Sequence, residues 1–177
     1  MSTTTTPLSG TYSADPVHSS VGFAVRVQGV SLFRGTLTDV EAALVDGRLE
    51  GTARIESISI RTPEQFRAHV LSAEFFDAEN HPELRFVSHS FDVRDDGSAT
   101  VSGDLTIKGT TKLVVATGTW TPPAVDAFGN ARAHLSLRAV IDRTQWGISW
   151  NAALPSGGNA LANDVRLSID LSLVEQA

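Results

Sequence analysis

The chain has 177 residues, 41% hydrophobic and 19% charged, which is the composition of one globular domain and not of a disordered chain. Its net charge of −6, with no basic block, argues against nucleic acid and anionic lipid surfaces as partners. The absence of cysteine excludes disulfides, thiolate nucleophiles, cysteine-held zinc and iron–sulfur clusters.

In chain order, MSTTTTPLSG opens without the basic and apolar segments of a signal peptide, so a cytoplasmic location is expected. No apolar run nears the ~18 residues of a membrane span, so the protein is not expected to be membrane-embedded. Residues 1–9 read as a disordered arm and 10–177 as a single domain. A weak strand is predicted at 10–14. Val21, Phe23, Val25 and Val27 then alternate with polar or small residues, the mark of a strand with one apolar face. Weaker strands follow at 34–46 and 48–60. In the second, the apolar parity slips between Ile55 and Ile58, which predicts a β-bulge. Residues 63–73 break the pattern. Pro63 and Glu64 suit a first helical turn, and Phe66 and Val70 are spaced i, i+4, so a short helix is predicted. It leads into Phe75-Phe76, two aromatics that a strand would send to opposite faces.

A strand at 83–94 is followed by alternation through Val101, Leu105 and Ile107, a strand at 111–122, and alternation from Ala133 to Ile141. Trp146, Ile148 and Trp150 share a parity and are placed on one face. A Gly/Asn-rich loop at 151–163 precedes the last strand, with Val165, Leu167, Ile169, Leu171 and Leu173 on its apolar face. Asp46-Gly47, Asp96-Gly97, Gly109-Thr110 and Phe128-Gly129-Asn130 mark turns. Gaps this short pair neighbouring strands antiparallel. Eight or nine strands of about ten residues, ~33 Å long at ~3.3 Å per residue, favour a closed barrel over a sandwich. Such a barrel is either filled by side chains or hollow enough for one ligand. Small strand residues such as Gly22 and Gly103 hint at spare room on some faces.

The chain carries little catalytic chemistry. It has no G-x-S-x-G elbow, and the five histidines, His18, His69, His81, His89 and His134, form no H-x-x-x-H or H-E-x-x-H pair. The carboxylate clusters sit at turns, and no glycine-rich loop joins a strand to a helix. No catalytic residue, metal site or cofactor is expected.

Four segments stand together in order: DPVHSSVGF at 15–23, LSAEFFDAENHPELRF at 71–86, GDLTIKGTTK at 103–112 and IDRTQWGI at 141–148. With them the chain resembles the YceI-like family, lipocalin-like polyisoprenoid-binding proteins, from about residue 10 to residue 175. The resemblance implies an all-β, eight-stranded antiparallel lipocalin-like barrel with one short helix near the open end. It also implies a long apolar ligand (a polyisoprenoid, an isoprenoid quinone, a fatty amide or acid), a homodimer and no firmly attached reaction. Tyr12, Gln28 and Arg67 depart from residues common at those places in the family. Apolar parity and the helix nominate Phe23, Val25, Phe66, Val70, Phe75, Phe76, Phe86, Leu105, Leu137, Trp146 and Ile148 as ligand-lining residues. Arg26, His69 and Arg143 are the nominated head-group contacts. Two other readings stay open: a stress-related interaction protein with a filled barrel, and an enzyme acting on an apolar substrate.

Overall fold

A computed structural model describes residues 9–176. Eight strands, β1 (Thr11–Ala14), β4 (Val40–Val45), β5 (Arg48–Arg54), β6 (Glu83–Val93), β7 (Ser98–Ile107), β8 (Thr110–Val125), β9 (Ala131–Asp142) and β10 (Leu161–Glu175), form an antiparallel ring closed by β1 on β10. Two further strands, β2 (Ser20–Val27) and β3 (Ser31–Leu37), continue the wall. β1 pairs with residues 173–175 of β10 and β2 with residues 161–170. Together β1 and β2 run along one edge of β10. The ring joins its neighbours through tight turns. In Asp46-Gly47 (φ 48° and 82°) and Lys108-Gly109 (φ 52° and 78°) both turn residues are left-handed, the backbone that matches the twist of two-residue hairpins. The nominated disordered arm falls, apart from residue 9, outside the described residues.

Two local expectations are corrected. The parity slip in 48–60 is not a bulge: β5 stops at Arg54 and the chain turns through a 3-10 helix at Ile55–Ser57, burying Ile55, Ile58 and Ile60 on another surface. Register shifts lie instead in β6 between Ser88 and Ser90, in β8 between Thr121 and Ala124, and in β10 between Leu161 and Val165. The one in β8 spans Pro122-Pro123, which cannot donate ladder bonds. Nor does Gly103 mark spare room. It sits opposite the β6 bulge, where a Cβ would meet the Phe86 ring and the Ser88 backbone.

One end of the barrel is filled. Leu44, Val101, Leu135 and Leu173 are fully buried there, and Trp120 takes Tyr12 and Phe91 edge-on, each at 6.1 Å between centroids. A polar clasp closes this end. Arg132 on β9 donates to Asp15 at 2.8 Å, to Asp126 at 3.1 Å and to the Ser172 hydroxyl at 2.7 Å, and His18 also meets Asp15 at 2.8 Å. Hydrogen bonds from His18 and Arg132 hold the Asp15 carboxyl well below the usual carboxylate range, and backbone amides lower Asp126. The unfolded chain therefore takes up protons near pH 4 that the folded chain refuses, so this stabilisation is present above that pH and is lost as pH falls. The melting temperature is expected to drop between pH 4 and pH 2. The drop should be shallower in Arg132→Gln, checked by thermal melts across that range.

Candidate ligand cavity

The other half of the barrel is hollow because its inward strand positions meet no opposing core. Helix α1 (Glu64–Leu71) and the turns after it lie over that end. Arg67 fixes the helix by donating to three backbone carbonyls, those of Ile58 (3.1 Å), Ile60 (2.8 Å) and Glu56 (2.8 Å). Lys108 reaches from the β7–β8 turn to the Ala73 carbonyl, tying the following segment to the barrel rim.

Beneath this cover lies a cavity of about 450 Å³, within the range of small-molecule sites. A smaller one of about 110 Å³ lies further in, and the two share Val21, Leu84, Ile107 and Leu167 as wall. Aromatic rings frame the larger cavity in two chains. Phe66 meets Phe33 edge-on at 5.4 Å, Phe33 meets Phe23 at 5.9 Å, and Phe23 meets Phe76 at 6.0 Å. Opposite in sequence, His69 is edge-on to Phe75 and to Trp150, both at 4.9 Å. Edge-to-face contacts add to the area buried and fix ring orientation. Of the lining side chains only Gln28, His69 and Arg143 are polar.

The nominated residues divide among these places. Phe23, Val25, Phe66, Val70, Phe75, Phe76 and Ile148 line the larger cavity with His69 and Arg143. Phe86, Leu105 and Leu137 line the smaller one. Trp146 lines neither. It is 2% exposed, and its indole N–H donates to the Leu105 carbonyl at 3.0 Å. The shared parity of Trp146, Ile148 and Trp150 fails because residues 143–146 are a 3-10 helix, ended by Gly147 at φ 78°. Arg26 lies on the exposed outer face of β2, away from both cavities. Phe75 and Phe76 both reach the cavity because they sit in a turn and not on a strand. Phe33, Leu84, Trp150, Val165 and Leu167 are lining residues that the nominations lack. Val165 and Leu167 follow the inward parity of β10, so the signal for them was present.

No group of three or more His, Cys, Asp or Glu among the described residues could hold a metal ion. No helix among them is long and apolar enough to cross a membrane.

Residues 12–173 match the model of the YceI-like domain. The chain belongs to the YceI-like family. It is 27% identical over 165 residues to a UPF0312 protein of Pseudomonas putida, covering 90% of this chain and 82% of that one. It is 29% identical to a UPF0312 protein of Staphylococcus aureus over 174 residues, covering 93% and 98%. Two solved structures share the YceI-like barrel. A polyisoprenoid binding domain from Saccharophagus degradans superposes with a TM-score of 0.69 at 13% identity, covering 93% of this chain and 98% of that one. Burkholderia cenocepacia BcnA gives 0.69 at 18%, covering 90% and 98%. At such identities the likeness is one of fold.

Proposed function

We propose that this YceI-like protein binds a long apolar ligand in the larger cavity and carries or stores it. The observation that supports this reading best is the wall itself: twenty of its twenty-three lining residues are apolar, around about 450 Å³ of space. Along most of that wall water would lack hydrogen-bond partners, because a buried water needs two to four. The Saccharophagus degradans domain, described as polyisoprenoid binding, supports the same class of ligand. The energetics suffice. About fifteen methylenes at ~0.8 kcal/mol each offer ~12 kcal/mol gross, and the costs of association leave a complex in the micromolar to nanomolar range. The hollow half of the barrel speaks against a purely side-chain-filled scaffold, and the family supports a binding role over an enzymatic one. A homodimer and a cytoplasmic location belong to the same proposal. Leu113, Val115 and Val140, exposed on the outer wall, offer an apolar face for a second copy, and the mass in solution tests it.

The test of the binding role is solvent extraction of the purified protein, with a mock purification as control, followed by uptake by the stripped protein. A stoichiometric prenyl chain, quinone or fatty compound is expected in the extract, or one-to-one uptake of such a compound. A clean extract together with no uptake would overturn the proposal.

A further inference from the structure

The lining of the larger cavity is one-sided in its chemistry. Of its three polar side chains, Gln28 and Arg143 can donate hydrogen bonds into it, His69 is already paired through Nε2 with Glu74, and no aspartate or glutamate is among the lining residues. Arg143 is the decisive one. It is 4% exposed, and burial pushes its guanidinium below the usual arginine range. Among the described residues no carboxylate lies within ion-pair distance of it. The neighbouring Asp142 forms no ion pair with it, its Oδ1 accepting from the Thr144 amide (2.9 Å) and hydroxyl (2.6 Å). Instead the guanidinium donates to backbone carbonyls: Nε to Ala162 at 2.9 Å, one terminal nitrogen to Ile148 at 2.7 Å and the other to Leu161 at 3.4 Å.

These three bonds hold the guanidinium in place without an ion pair, and the pull of the Asp142 charge is outweighed by burial. A guanidinium has five N–H groups in a fixed fork, so two remain, which suits one carboxylate better than a phosphate dianion with more oxygens to satisfy. A buried cation without an anion is costly, and an anionic ligand group would remove that cost. Gln28 stands beside the start of β10. Its backbone amide donates to the Ala160 carbonyl at 2.7 Å, one residue before the carbonyls that Arg143 holds. Arg143 and the Gln28 backbone thus flank residues 160–162 at the covered end of the barrel, and the apolar wall extends from there.

Size narrows the chain. At about 30 Å³ for each water-sized group, a cavity of about 450 Å³ takes about fifteen chain carbons. Beyond it only the smaller cavity of about 110 Å³ remains before the packed residues of the filled end.

We propose that the ligand is a single-chain fatty carboxylate of about fourteen to eighteen carbons, with its carboxylate on the Arg143 guanidinium. This rests on the binding role proposed above and names the ligand class for the same cavity. The test uses stripped full-length protein and isothermal titration with hexadecanoate, methyl hexadecanoate and a saturated acid series from ten to twenty-two carbons. Hexadecanoate is expected to bind at least tenfold tighter than its methyl ester. The preference should vanish in Arg143→Gln while the ester still binds, and the acid series should peak between fourteen and eighteen carbons. Equal affinity for acid and ester in the unaltered protein would overturn the carboxylate assignment and leave the binding role standing. That comparison needs no variant, so it holds even where Arg143→Gln fails to fold. Tightest binding at twenty-two carbons would overturn the length. Failure of every chain to bind would remove the binding role and this inference with it.

Discussion

Leu167→Trp is expected to weaken binding of a sixteen-carbon chain about thirtyfold while leaving the barrel folded. Leu167 lies on the inward face of β10, is only half-buried, and lines both cavities. A larger ring there grows into empty space and not into packed neighbours, so the overpacking that normally punishes such a change is small. The ring takes the place of two or three methylenes of ligand, each worth ~0.8 kcal/mol. That sums to about 2 kcal/mol, or roughly thirtyfold in affinity. Titration with hexadecanoate beside a thermal melt checks it. Unchanged affinity in a folded variant would place the ligand elsewhere.

Trp146→Ala is expected to cost about 3–5 kcal/mol of stability, the range for deleting a large buried aromatic side chain. Two effects combine. The change leaves a void beneath the 3-10 helix at residues 143–146, and it removes the donor to the Leu105 carbonyl, stranding a buried acceptor. Domains of this kind are stable by only about 5–15 kcal/mol, so the loss is a large share of the total. Trp146→Phe separates the two effects, because it keeps most of the packing and loses the hydrogen bond. Urea denaturation of both variants provides the measurement. A cost below about 1 kcal/mol for Trp146→Ala would contradict its assignment as a plug.

Residues 143–150 also show where sequence reading stopped. Period-two alternation identifies β7, β9 and β10 because each has one face in the barrel and one in solvent, and strict alternation follows from that geometry. The same count carried past Asp142 misplaces Trp146. The signal against it was local: Asp142 caps the amide of Thr144, and Gly147 takes a left-handed φ, the marks of a short helical turn. In 48–60 the parity slip was real, but a turn and a bulge leave the same trace in sequence. Phe75 and Phe76 take opposite faces only on a strand, and here they sit in a turn.

The cavity was half legible for a related reason. Phe23, Val25, Phe66 and Val70 follow from face and period. The division into a larger and a smaller cavity does not, because it depends on which opposing walls meet. Leu105 and Leu137 carry the same inward parity as Leu167, yet they are nearly fully buried and line only the inner cavity. Arg26 and Arg143 look equivalent as isolated arginines beside apolar residues. Only the fold turns one to solvent and buries the other against three carbonyls.

The central claim is that a lipid chain occupies the covered half of the barrel, and the three tryptophans test it directly. Trp150 lines the larger cavity, whereas Trp120 sits in the filled end and Trp146 is sealed behind the wall. Tryptophan emission would be followed while a brominated sixteen-carbon fatty acid is titrated into stripped protein, alongside Trp150→Phe. The account predicts quenching that saturates at one equivalent and is mostly lost in Trp150→Phe, while that variant still binds the unlabelled acid. Saturating quenching of the same size in Trp150→Phe, or none in the unaltered protein, would contradict it.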